Sequence, residues 1–165
     1  DLSSGMLSHA APELPLVQAD ALALPYHDGS FDVVFSAFGA LPFVADLDAA
    51  LREVHRVLRP RGRFVFSVPH PMRWVFPDDP QNLTAELSYF ERAYLEQDAN
   101  GKLNYAEFHR TMGDWVRALQ VRGSFEIRNL IEPEWPESLD ITWGQWSPER
   151  GTIFPGTAIF VCEAR

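Results

Sequence analysis

At 165 residues, with 46% apolar and 22% charged side chains, the chain can bury one sizeable core, and its composition does not favour disorder. A net charge of -9 argues against nucleic-acid phosphates as partners and leaves a neutral or cationic small ligand open. The single cysteine, Cys162, excludes an internal disulfide, and no apolar run is long enough to cross a bilayer. No leader segment is recognisable, so the expectation is a cytoplasmic protein with no membrane partner.

The opening DLSSGMLSHAAPELP predicts a short helix capped by Ser3 or Ser4 and ended by Pro12 and Pro15. Leu16 to Ala19 reads as a short buried strand, and the turn His27 to Ser30 separates it from a second strand, FDVVFSAF. That second run is β-branched and aromatic with little alternation, which predicts a strand covered on both faces. Asp46 to Arg59 predicts a helix, with Asp46 as N-cap and an Asp48–Arg52 pair one turn apart. Its inward face is Leu47, Ala50, Leu51, Val54, Val57 and Leu58, and Pro60 ends it. Gly62 opens the turn into a buried strand, Phe64 to Val68, which completes a parallel crossover.

Residues 72 to 109 are rich in aromatics and acids, and Asn100-Gly101 signals a hairpin. The expectation is an inserted β-hairpin cap with strands Leu87 to Glu96 and Lys102 to His109. Thr111 with Asp114 then resembles a capping box opening a helix to Arg122, with Gly123 as its stop. SFEIRNLIEP and GTAIFVCEA are the last two strands, joined by a loop carrying Trp135, Trp143 and Trp146.

Three motifs in order carry a resemblance: DLSSGML, QADALALPYHDGSFDVVFSAF and LREVHRVLRPRGRFVFSVP. Together they resemble the class I S-adenosylmethionine-dependent methyltransferases with a methyltransferase-11 type core. Arg61 stands where that family has the first glycine of a Gly-Gly turn, a mild departure at a position away from the site. The resemblance implies an α/β, Rossmann-like fold with a mostly parallel sheet. Its last strand is antiparallel and lies between the fifth and sixth. Residues 1–165 are expected to form one methyltransferase domain, with residues 72–109 as its cap.

The resemblance also implies roles. Asp1 would hold the ribose hydroxyls of S-adenosyl-L-methionine, since a carboxylate can accept two donors. Leu2 would pack on the adenine, Asp20 would accept from its amino group, and Ala21 would donate a backbone amide, with Leu22 adding apolar contact. Ser36, Ala37 and Phe38 would border the methionine part and the sulfonium. Methyl transfer draws much of its rate from orientation and needs a base only where the acceptor must lose a proton. His70 and His109 are candidates for that base or for acceptor contact, with packing or capping as their alternative. Trp74, Phe76, Tyr89, Phe90, Tyr94 and Tyr105 could line an acceptor pocket or simply pack the cap. Glu132, Glu134 and Trp135 could rim the acceptor side. No residue cluster has metal-ligand spacing, so no metal is expected.

The family's glycine-rich loop has no counterpart in this sequence. The expectation is therefore an N-terminally truncated methyltransferase domain, with an exposed strand edge at Phe31 to Ala37. Three functions stay open. They are methyl transfer to a small-molecule acceptor, a non-catalytic binding module of the same fold, and an oxidoreductase using a nicotinamide or flavin.

Overall fold

The computed structural model describes residues 1–11 and 13–165. Pro12, expected to end the first helix, lies outside the described residues. Helix α1 (Ser4–Leu7) is capped by Ser3, whose hydroxyl accepts from the amide of Met6.

No strand forms at Leu16 to Ala19. The segment instead runs beside the first residues. The Ala19 amide donates to the carbonyl of Asp1, and the Gln18 side chain donates to the carbonyl of Leu2. With residues 16 and 17 exposed, its backbone pairs locally and joins no sheet.

Strands β1 (Phe31–Ala37), β2 (Leu58–Pro69), β5 (Phe125–Ile131) and β6 (Thr157–Ala164) form one sheet in the order β1-β2-β6-β5. β1 and β2 are parallel, while β6 runs antiparallel to both of its neighbours. Strands β3 (Ala93–Gln97) and β4 (Leu103–Phe108) make a separate antiparallel hairpin, shorter than expected. Its turn is a five-residue loop in which Gly101 takes φ 79° and the Asp98 carboxylate accepts from the amides of Asn100 and Lys102.

The core lies on one face of the sheet. Burial alternates along β2 and β6, so Phe64, Phe66, Phe160 and Cys162 point inward while their neighbours are half-buried or, at Arg63, exposed. Phe66 stacks on Phe160 at 4.9 Å between ring centres, and Trp115 lies 5.3 Å from Phe66. Each fully buried phenylalanine of this set contributes about 2–3 kcal/mol of apolar burial. The Cys162 thiol is pushed up to about 12 by that burial.

Helix α2 (Leu47–Val57) covers this face with Leu47, Ala50, Leu51, Val54 and Val57, and Asp46 caps it by accepting from the Ala49 amide. It stops two residues short of the expected Arg59: Leu58 takes an extended conformation and pairs with Phe31, so Leu58, Arg59 and Pro60 already belong to β2, which begins well before the expected Phe64. Asp48 does not pair with Arg52; its carboxylate accepts from Arg122 at 2.8 Å, bridging to the next helix. That helix, α3 (Met112–Arg117), opens on a reciprocal capping box between Thr111 and Asp114 and ends in a π turn at Ala118–Arg122.

β1 is not covered on both faces. Val33 and Phe35 are 53% and 77% exposed, because the helices lie on one side and β1 is the edge strand. At the other end of the crossover, Arg61 takes φ 65° and Gly62 lies against the carbonyl of Arg59, where a Cβ would come within 2.8 Å.

Candidate functional site

The carboxyl end of β1 is where the site is built. Its last pair is Ala37 with Ser67, and the amide of Phe38 then donates to the carbonyl of Ser67. Phe38 takes φ 54°, a left-handed conformation that is strained for an aromatic residue. That turn brings its ring to the edge of a cavity of about 600 Å³, well within the size range of small-molecule pockets.

The cavity is mostly apolar. Phe43, Leu139, Ile141, Trp135, Trp143 and Trp146 line it, the last three drawn from the loop between β5 and β6. Its polar groups include Arg73, Glu107, Glu134 and Gln145. Glu107 is 8% exposed as a residue, and its carboxylate accepts from the Tyr105 hydroxyl at 3.2 Å. The Arg73 guanidinium lies 3.9 Å from the same oxygen. Burial and the neighbouring Glu107 charge raise the pKa of the Tyr105 phenol.

Three supports hold these walls. Phe43 meets Tyr105 edge-on at 5.9 Å, so the turn after β1 touches the hairpin directly. Arg110 donates to the carbonyls of Leu41 and Val44 from the hairpin's exit. Arg150, wholly buried, donates to the carbonyls of Pro77, Asp79, Asn82 and Gln145. It stacks over Phe76 at 5.2 Å, and Ser147 adds a bond to Pro80. Residues 77 to 82 are thereby tied to the loop that carries Trp146.

The residues expected at the cofactor fall into two groups. Asp1 and Leu2 lie alongside residues 17 to 19 through the Ala19 and Gln18 bonds described above and a bond from the Asp1 amino group to the carbonyl of Val17. One oxygen of Asp1 accepts from the Ser3 amide, and one oxygen of Asp20 accepts from the Leu22 amide. The second oxygen of each accepts no hydrogen bond among the described residues, and neither does the Ala21 amide donate one. Leu2 and Leu22 expose apolar surface beside them. Exposed carboxylate oxygens, an open amide and bare leucines fit a ribose, an amino-purine and its face. In the second group, Phe38 lines the cavity, while Ser36 and Ala37 precede it on β1. The strip from Leu24 to Asp28 is fixed to α2, since Glu53 accepts from the Leu24 amide and Arg56 donates to the carbonyls of Leu24 and Tyr26 and to Asp28.

The two candidate histidines are held differently. His70 is 5% exposed; its Nδ1 accepts from the Met72 amide, so its Nε2–H donates to Glu132 at 2.8 Å. His109 donates from Nε2 to the carbonyl of Tyr89 and packs 4.7 Å from the ring of Trp74, and burial lowers its pKa. Neither imidazole lines the cavity. Of the hairpin-region aromatics, Tyr105 reaches it; Phe76 stacks on Phe154, Tyr89 accepts from the Met112 amide, and Phe90 and Tyr94 are exposed. Glu134 and Trp135 line it, and Glu132 serves His70.

Sequence reasoning passed over Arg73, Glu107 and Arg150. For Glu107 a signal existed: Tyr105 and Glu107 are two apart on β4 and so share a face.

The sequence and the fold have known counterparts. Residues 1–66 match the family model described as a methyltransferase domain. The chain aligns over its whole length with a Listeria monocytogenes structure assigned to the S-adenosylmethionine dependent methyltransferases. That match has a TM-score of 0.73 and 24% identity and covers 78% of the other chain. This is the class I methyltransferase fold. A second such structure, an S-adenosylmethionine dependent methyltransferase from Mesorhizobium loti, shares it with a TM-score of 0.64 and 25% identity, covering 99% of this chain and 78% of that one. Among curated sequences, demethylmenaquinone methyltransferase of Mycobacterium tuberculosis is 49% identical over 119 residues, or 72% of this chain and 48% of its own length. The chain spans about a third to a half of the length of the curated relatives it matches. In the class I methyltransferase fold, as in other open α/β sheets, ligands gather at the carboxyl ends of the strands, which is where Phe38 and the cavity lie.

Proposed function

We propose that the chain is part of the catalytic domain of an S-adenosyl-L-methionine-dependent methyltransferase that acts on a small-molecule acceptor. The observation that carries this reading is the cavity meeting the end of β1 at Phe38, in a chain whose first 66 residues match the methyltransferase domain. In it, Asp1, Leu2, Asp20, Ala21 and Leu22 hold the adenosine part. Ser36, Ala37 and Phe38 border the methionine part, and the cavity receives the acceptor.

The cofactor supplies the methyl group when bound; the chain's own residues bind, orient and exclude water. The strained Phe38 sets the boundary between the two ligands. His70 and His109 act by positioning: His70 orders the turn at Pro71–Val75, which carries Arg73, and His109 fixes Trp74 and Tyr89. Residues 1–165 form one domain in this reading, with 72–109 as a cap over the acceptor.

Nucleic acid and membrane are not partners in this reading, and the cytoplasm is its location. The charge of -9 supports the first point, and no helix among the described residues is long and apolar enough to cross a membrane. Transfer of an isotopically labelled methyl group tests the reading. Demethylmenaquinone, the acceptor in the relatives' name, is the first compound to assay, followed by other planar ring compounds. Absence of transfer to any of them, together with failure to bind the cofactor, would sink it.

A further inference from the structure

The cavity holds one feature that packing alone does not account for. A carboxylate buried among aromatic walls is costly unless its lone pairs are satisfied. Glu107 is nine-tenths buried, yet only its Oε2 is served, by the Tyr105 hydroxyl and, at 3.9 Å, by Arg73. Its Oε1 accepts no hydrogen bond among the described residues and is not sealed off, since the residue lines the cavity and this oxygen stays accessible from it. Arg73 in turn lies over the ring of Trp74 at 5.3 Å, so this ion pair sits at an aromatic surface with one acceptor site open.

We propose that Glu107 is the specificity-determining residue of the cavity, and that the cavity takes a planar, largely apolar ring system whose hydroxyl or ring N–H donates to the Glu107 carboxylate. The proposal rests on the methyl-transfer reading, since it identifies the acceptor of that reaction. Planarity follows from the walls: Trp135, Trp143 and Trp146 present indoles, and Trp143 is 72% exposed with its ring available for stacking. A cation is disfavoured because Arg73 already balances the carboxylate. An anion is disfavoured because Glu107 and Glu134 both line the space. A neutral donor is what remains, and it would complete Glu107 without adding a charge.

The test is equilibrium dialysis of the full-length protein at neutral pH against three bicyclic probes: 6-hydroxyquinoline, 6-methoxyquinoline and N-methylquinolinium. The hydroxyl compound should bind about tenfold or more tighter than its methyl ether, the usual value of a hydrogen bond to a charged group. In Glu107→Gln that preference should fall to about threefold or less, because the charge assisting the bond is gone. Trp143→Ala should weaken both neutral probes alike. Equal binding of the hydroxyl and methoxy compounds by the unmutated protein would overturn the proposal. So would tightest binding of the quinolinium cation, or a hydroxyl preference undiminished in Glu107→Gln. The unmutated comparison decides the matter even where a variant fails to fold. S-adenosylhomocysteine, titrated in parallel, keeps the two claims apart. Hydroxyl selectivity without its binding would uphold this site and defeat the methyl-transfer reading; the converse would do the reverse.

Discussion

Trp135 lies face-on against Gly151, so that a Cβ at position 151 would stand 2.5 Å from Cδ2 of the indole. Gly151 ends the short helix α4 (Pro148–Gly151), and Trp135 is held in place by donation from its Nε1 to the carbonyl of Leu139. Gly151→Ala is therefore expected to expel the ring and open the cavity wall while the sheet stays folded. Near-ultraviolet circular dichroism should lose tryptophan signal with far-ultraviolet intensity retained. Unchanged spectra would show that the indole has room to slide.

Arg150 is a second structural hinge of the site. Removing its guanidinium leaves the carbonyls of Pro77, Asp79, Asn82 and Gln145 without their donor. Arg150→Met keeps much of the apolar stem but should cost about 3 kcal/mol in chemical denaturation. A loss below about 1 kcal/mol would mean that water replaces the guanidinium at those carbonyls without penalty.

The strip from Leu24 to Asp28 responds to pH through Glu53. Hydrogen bonds from Arg56 first, and from the Leu24 amide, lower its pKa from 4.5 to about 2. The folded state thus holds the charged form, and its stabilising effect is present above pH 4.5 and lost as pH falls toward 2. Glu53→Gln should be less stable than the unmutated protein at neutral pH. The gap should narrow across that acidic window; a gap independent of pH would contradict the assignment.

Arg61 occupies a left-handed conformation, φ 65°, which glycine adopts without steric cost. Among the described residues its side chain pairs with Glu163, at 3.5 Å, and is itself 81% exposed. Arg61→Gly should raise stability by about 1 kcal/mol, seen as a higher denaturation midpoint with an unchanged slope. A lower midpoint would show that the lost ion pair and the greater freedom of the unfolded chain outweigh the relieved strain.

These cases show which features can be read from sequence. Local signals carried well: the 3.6-residue spacing from Leu47 to Val57, the Asp46 cap and the Thr111–Asp114 capping box all form as their patterns predict. The sheet order β1-β2-β6-β5 came from resemblance, not from any residue pattern, and the structure has it. Leu16 to Ala19 misled because a short apolar run says nothing about whether a neighbouring strand is there to pair with. The apolar run of β1 misled in the same way: β-branched content reports strand, whereas coverage depends on what packs on it. Asp48 chose Arg122 over Arg52, and three of the four carbonyls that Arg150 serves lie about 70 residues away. Such partners depend on the tertiary fold and leave no local trace. Glu107 is the intermediate case, since period-two spacing placed it with Tyr105 but could not say that their shared face is buried.

Whether residues 1 to 38 supply cofactor contacts is decided by calorimetric titration of the full-length protein with S-adenosylhomocysteine. Saturable binding is expected, weakened about tenfold or more in Asp20→Ala, whose lost carboxylate would otherwise accept from the adenine amino group. No binding, binding indifferent to Asp20, or binding of NAD in its place would contradict it.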